Sequence, residues 1–302
     1  MSDSLRSIRD FIRYGISRFE QAELYYGHGT DNALDEATQL VLHVLHLPHD
    51  LPGHFMEARL THEEREQVLA LIRRRVEDRI PLPYLTHEAW FAGFSFYVDE
   101  RVLVPRSPIG ELIEQGFEPW LRPQGLRRIL DLCTGSGCIA IACAHVFPEA
   151  QVDAADISAE ALAVAARNVA EHGVEERVRL VQSDLFSALQ GCRYDLIVTN
   201  PPYVDAAEIA AMPAEYHHEP RLGLASGEDG LEAIEQILRQ APDHLQEDGV
   251  LIAEVGASEA ALRAKYPQLP LVWLEFERGG SGVFQISRRD LLAHRALFSA
   301  RP

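Results

Sequence analysis

The residues with the most chemical content are Asn200-Pro201-Pro202-Tyr203. Two adjacent prolines fix φ and remove two N–H donors, so the turn is rigid and its carbonyl oxygens are left out of any ladder. The Asn200 side chain adds an acceptor oxygen beside them. A planar –NH2 group placed there gives one proton to the Asn200 oxygen and the other to the Pro201 carbonyl. Tyr203 can lie against the same flat group. These four residues form the candidate catalytic and substrate-binding set for chemistry on a planar nitrogen.

A second constellation lies upstream, in Asp131-Leu-Cys133-Thr134-Gly135-Ser136-Gly137-Cys-Ile-Ala140. Gly-x-Gly-x-x-Ala is the spacing of a nucleotide loop, in which glycines permit a tight strand-to-helix turn and close backbone approach to a ligand. Asp156, nineteen residues after Gly137, falls at the end of the next strand, where an acid accepts both ribose hydroxyls. To this point NAD and S-adenosylmethionine fit equally well. Asp131, expected inside the ligand cleft, tilts the choice: a carboxylate is unfavourable beside a pyrophosphate and favourable beside a sulfonium and an α-ammonium. Asp184 adds a third carboxylate at a strand end.

These residues need a sheet to bring them together, and the pattern supplies one. From about residue 120, strands (RRILDLC, QVDAADI, VRLVQSD, YDLIVTN, GVLIAEVG) alternate with helices, which implies an α/β fold with a parallel sheet covered on both faces. LVWLEFE and GVFQISR read as a terminal strand pair around Arg278-Gly279-Gly280, giving an antiparallel edge. Residues 1–80 read as helices. Leu5, Ile8, Phe11, Ile12, Ile16 and Phe19 form an amphipathic stripe, Asp31 or Asn32 caps a second helix, and Thr61 with Glu64 makes a capping box for a third. Residues 81–115 read as a linker hairpin turning at Asp99-Glu100, and 116–302 as the catalytic domain.

Composition narrows the field. The 302 residues hold 28 Lys+Arg against 46 Asp+Glu, a net charge of −18, and Lys265 is the single lysine. Phosphate neutralisation needs surplus cations, so a non-specific nucleic-acid or anionic-membrane binder is disfavoured. A lone lysine excludes a Gly-x-x-x-x-Gly-Lys loop and leaves Schiff-base chemistry little to stand on. The acidic N-terminus lacks a secretory pattern and no uncharged apolar run reaches eighteen residues, so a cytoplasmic protein is expected. The cysteines (133, 138, 143 and 192) read as small buried thiols. Neither they nor His43 and His46, which share an expected helix face, nor His217-His218-Glu219 suggest a metal.

The loop and strand-end acids resemble those of class I S-adenosylmethionine-dependent methyltransferases, a Rossmann-like fold with an antiparallel last strand. By that resemblance Cys133 to Gly137 form the cofactor loop, Asp156 takes the ribose, Asp184 and Leu185 face the adenine, and Asn200 also borders the cofactor. Asn-Pro-Pro-Tyr is shared by members of the class that methylate planar nitrogens. His217-His218-Glu219-Pro220-Arg221 through Gly227-Glu-Asp229-Gly230-Leu231, with PLPYLTHEAWFAGFSFYVDERVLVPRSPI, resembles the HemK-like protein-glutamine methyltransferases over nearly the whole chain. That resemblance implies N5-methylation of a glutamine on a translation protein, a substrate-recognition role for the N-terminal helical domain, Glu219 in a substrate-facing loop, S-adenosylhomocysteine as product and no metal.

The release-factor branch usually reads Pro-Arg-Pro-x-Thr-Glu where this chain has Pro105-Arg106-Ser107-Pro108-Ile109-Gly110-Glu111. The string resembles instead the branch that methylates a basic ribosomal protein, third in the large-subunit series. The alternatives are release-factor methylation, a DNA adenine-N6 methyltransferase, a non-enzymatic ribosome-assembly factor and a dehydrogenase. The DNA reading needs a basic face, whereas residues 81–302 carry 18 Lys+Arg and 32 Asp+Glu, a net of −14.

Overall fold

In the computed structural model, residues 4–121 and 125–298 are described, and the chain divides into two compact units. The first comprises residues up to Ala89 together with 213–218, and the second comprises 90–212 and 219 onward. The division therefore differs from the expected boundaries at 80 and 115.

The first unit packs helices α1 (Ile8–Gln21), α2 (Ala33–Val44), α3 (His62–Glu77) and α4 (Leu82–Thr86). Ser7 with Asp10, and Thr61 with Glu64, close capping boxes, and Asn32 rather than Asp31 caps α2. Phe11, Phe19, Leu40, Val41, Val68 and Ile72 form its buried core. Arg75 is also buried, and its guanidinium holds Glu36 at 2.5 Å and the Tyr25 carbonyl at 2.9 Å, with Glu215 at 3.4 Å. Glu215, fully buried, accepts the Tyr25 N–H at 3.0 Å. This ionic core is why residues 213–218, assigned to the catalytic domain by sequence, belong to the helical unit. His46 lies beyond the end of α2 with φ 53°, so it does not share a helix face with His43, which pairs with Glu88.

Next comes a hairpin of β1 (Ala89–Phe91) and β2 (Phe94–Phe96), which from Trp90 onward belongs to the second unit. Its turn is Ala92-Gly93, with φ of 47° and 77°, and not the expected Asp99-Glu100. Paired positive φ is the twist-matched geometry for a two-residue hairpin. Asp99 instead closes a local turn outside the sheet, accepting from the Arg101 N–H and guanidinium.

After α5 (Ile109–Glu114), the chain alternates β3 (Arg128–Leu132), α6 (Cys138–Val146), β4 (Gln151–Asp156), α7 (Ala159–Glu171), β5 (Val178–Gln182) and β6 (Tyr194–Thr199). Short helices α8 (Ala206–Ala211) and α9 (Arg221–Leu224) precede α10 (Glu232–His244), β7 (Leu245–Glu254), α11 (Glu259–Lys265), β8 (Val272–Trp273), β9 (Val283–Ser287) and α12 (Arg288–Ala293). The seven-stranded sheet runs β5-β4-β3-β6-β7-β9-β8, with β3 to β7 parallel and β9 antiparallel to both neighbours. The expected strand LVWLEFE shrinks to two residues at the edge. β9, with Val283, Phe284 and Ile286 buried, takes the interior place.

Apolar side chains fill both faces. Ile129, Val152, Val198 and Ile252 pack with α5 and α6, and Leu130, Ile197 and Leu251 pack with α10 and α12. The strand order reverses at β3, the place where open α/β sheets bind ligands at their carboxyl ends. Register does the positioning. Leu132 pairs with both Ala155 and Thr199, and Thr199 with Ala253, so the chain leaves these strands at one level into Cys133, Asp156, Asn200 and Glu254.

Candidate active site

The loop after β3 turns through left-handed backbone at Cys133, Gly135 and Gly137, with φ of 63°, 54° and 81°. A Cβ on Gly135 would meet nothing within 4 Å, so that turn borders open space. A Cβ on Gly137 would lie 3.2 Å from the Ala165 Cβ, so this glycine lets α6 start close against α7. Asn168 of α7, buried and not foreseen from sequence, donates to the Ser136 carbonyl at 2.8 Å and to the Tyr97 carbonyl at 3.0 Å. Burial pushes the thiols of Cys133, Cys138 and Cys143 up, so none is a ready nucleophile.

Asp131 corrects one expectation: it is fully buried beneath this loop and does not line the cavity. Its Oδ2 accepts from the Thr134 hydroxyl at 2.5 Å and the Ala140 N–H at 3.0 Å. Burial, with Asp156 nearby, pushes its carboxyl up to about 7. It shapes the loop from below.

The loop opens into a cavity of about 520 Å³, also lined by Asp156, Asp184, Leu185 and the whole Asn200–Tyr203 turn. Asp156 accepts the Gly135 N–H and the Ser158 N–H, each at 2.9 Å, and its half-buried setting raises its pKa. Asp184 is exposed at the rim, and Leu185 is half-buried beside it with φ 46°. Ile157, which sequence reasoning missed, lines the cavity at 47% exposure. An apolar residue directly after a strand-end acid was the available signal.

The opposite wall is the Asn-Pro-Pro-Tyr turn. Asn200 is half-buried and Pro201 buried. Tyr203 is held at its carbonyl, its hydroxyl and its ring. Its carbonyl accepts from the Ser258 hydroxyl at 2.7 Å, and its hydroxyl donates to Glu254 at 3.1 Å. Its ring lies so close to Gly256 that a Cβ there would come within 2.5 Å of it. Glu254, at the end of β7, takes the Ser107 hydroxyl at 2.5 Å on its other oxygen. Burial pushes the Glu254 carboxyl up to about 7.

Residues 100–107 form a strap along the cavity. Arg106 grips Glu219 with both nitrogens, at 2.5 and 2.7 Å, and the Val104 N–H donates to the same carboxylate at 3.1 Å. Glu219 is thus fully occupied, buried and absent from the cavity wall, which corrects its expected substrate-facing place. Neighbouring His217 and His218 fall in the helical unit, where His218 bonds the Asp78 carbonyl. Glu254, Ser107 and the exposed Leu222 at the cavity edge were invisible to sequence spacing.

The cavity suits S-adenosylmethionine. It joins a glycine loop whose Cβ-free side is open, a strand-end carboxylate for a ribose, an exposed apolar side chain beside it for a base, and no basic side chain along Cys133–Leu185 facing it. The sequence matches the Methyltransferase small domain family over residues 119–215. Among solved structures, the hMettl16 catalytic domain in complex with the MAT2A 3'UTR hairpin 6 is similar at 17% identity. The match has a TM-score of 0.50 and covers 75% of this chain and 81% of that one. That likeness concerns the fold alone. Fold and site together define a class I S-adenosylmethionine-dependent methyltransferase.

Full-length relatives carry the assignment further. The ribosomal protein uL3 glutamine methyltransferase of Xanthomonas campestris pv. campestris is 58% identical over 295 residues, covering 98% of this chain and 96% of that protein. The protein of the same name from Xylella fastidiosa is 56% identical over 296 residues, covering 97% and 94%. The chain belongs to this family of protein-glutamine methyltransferases.

Proposed function

We propose that this protein transfers a methyl group from S-adenosylmethionine to the side-chain amide nitrogen of a glutamine in ribosomal protein uL3. The observation that carries the reading is the Asn200–Pro202 acceptor turn standing in the same cavity as the Gly135 loop. Bound S-adenosylmethionine supplies an electrophilic methyl carbon. The protein's part is to orient the amide. The Asn200 side-chain oxygen and the Pro201 carbonyl accept its two N–H groups, and Tyr203 flanks its plane. An amide lone pair is delocalised, and holding both N–H groups favours pyramidalisation toward the methyl donor. Rate then comes from orientation and fixed dipoles rather than a strong base. One N–H becomes N–CH3 and one proton is released.

The reading includes no metal, a cytoplasmic setting and no use of duplex DNA. The net charge of −18 would draw a basic ribosomal protein toward the acidic surface before it is buried in RNA. The test is labelled-methyl transfer offered uL3 and release factor side by side, with mass spectrometry of the modified peptide. Labelled glutamine in uL3 supports the reading, and preferential labelling of release factor overturns it. Slower transfer to free uL3 as salt rises is expected, and salt-independent rates would sink the electrostatic part.

A further inference from the structure

Tyr203 is clamped from its carbonyl to its hydroxyl, and the last clamp is a buried acid at 5% exposure that belongs to neither the cofactor loop nor the Asn-Pro-Pro-Tyr turn. Glu254 ends β7 and joins two walls of the cavity. On one oxygen it accepts from Tyr203, and on the other from Ser107 of the strap. The Ser107 oxygen in turn accepts the Ile109 N–H at 3.1 Å, which leaves its hydroxyl proton free to donate to Glu254. We propose that Glu254, as a carboxylate, is the positioning residue of the site: it locks Tyr203 against the strap so that the ring flanks the substrate amide. The inference rests on the proposed glutamine reaction and deepens it.

The physical case is one of donors and acceptors. A carboxylate accepts from both hydroxyls at once, whereas a protonated carboxyl must donate its own proton and gives up one of them. The groups facing Glu254 are few. From the turn comes the Tyr203 hydroxyl. From the strap come the Ser107 hydroxyl and, through its charge, Arg106, which is already paired with Glu219. Burial works against the carboxylate, while these three favour it. The lock therefore opens as pH falls through neutrality.

Two measurements test this. The first is the pH dependence of kcat for methyl transfer to uL3. The wild-type rate should rise with pH through about 7. Glu254→Gln should abolish that rise and lower kcat about tenfold or more, the worth of a hydrogen bond to a charged group, with KM for S-adenosylmethionine little changed. Ser107→Ala removes a bond that favours the carboxylate, so its rise should move to higher pH. The second measurement follows the Glu254 carboxyl carbon by NMR in protein labelled at that carbon, without substrate. Its midpoint should lie above the ordinary carboxylate range and move higher in both Ser107→Ala and Tyr203→Phe, which keep the test alive if Glu254→Gln fails to fold. An unchanged pH profile in Glu254→Gln, or a midpoint that neither variant moves, overturns the proposal. If wild type never methylates uL3, the functional reading fails, and the carboxyl titration still decides whether Glu254 forms the lock.

Discussion

Arg106→Ala separates what holds the cavity strap from what does chemistry. Arg106 makes two charge-assisted bonds to Glu219, whose side chain is fully buried and also accepts the Val104 N–H at 3.1 Å. Removing one partner of a buried pair costs about 3–5 kcal/mol. The Arg106 side chain is itself 27% exposed, so water can partly replace it, and the low end, about 3 kcal/mol, applies. At 1.4 kcal/mol per decade this makes local opening of the strap about 100-fold more frequent. Hydrogen exchange read on a peptide spanning residues 102–107 should quicken by that factor, with kcat/KM for uL3 falling as the strap loosens. Glu219→Ala removes the charge together with its acceptor and should cost less, about 1–2 kcal/mol for the unpaired Val104 N–H. The double variant should resemble Glu219→Ala alone, because the two residues act as one unit. Exchange within threefold of wild type in Arg106→Ala, or additive effects in the double variant, would show that the Arg106–Glu219 pair does not hold the strap.

Other outcomes follow from the same geometry. Asn200→Ala should lower kcat by about 10²–10³ while S-adenosylmethionine affinity, measured by calorimetry, changes little; a comparable loss in affinity would move Asn200 from substrate orientation to cofactor binding. Asp156→Ala should weaken S-adenosylmethionine binding by about 10–100-fold, the worth of hydrogen bonds to a charged acceptor, and an unchanged Kd would remove Asp156 from the ribose site. Asp131 holds its proton more tightly folded, at about 7, than unfolded, near 3.8. Its contribution to stability is therefore complete below about pH 4 and lost as pH rises through about 7. The difference in Tm between wild type and Asp131→Asn, followed from pH 4 to 8, should show that slope, and a flat difference would contradict the buried placement.

Much of the site was legible because its information is local. Gly135 and Gly137 sit where the backbone needs positive φ, and Asp156 and Asn200 terminate apolar strands. A parallel register then brings strand ends level whatever the loops do. Asp131 was misplaced because spacing locates it at a strand end without saying where its carboxylate goes; Thr134 and Ala140 draw it under the loop. The hairpin turn was misread for a related reason. Asp99-Glu100 has turn composition, yet Ala92-Gly93 adopts the paired positive φ and Asp99 is occupied by Arg101.

The alternating α/β pattern, the glycine loop, the strand-end acids and the Asn-Pro-Pro-Tyr turn are all set locally, since each follows from backbone preference over a few residues. Tertiary structure alone decided the fate of the acids that spacing cannot place. Glu215 and Glu219 stand four residues apart, yet one is taken by Arg75, 140 residues away, and the other by Arg106, 113 residues away. Glu254 meets Ser107 across 147 residues and Tyr203 across 51. A buried carboxylate must find donors, and which donors reach it is settled by packing between distant elements, a quantity that no local pattern carries.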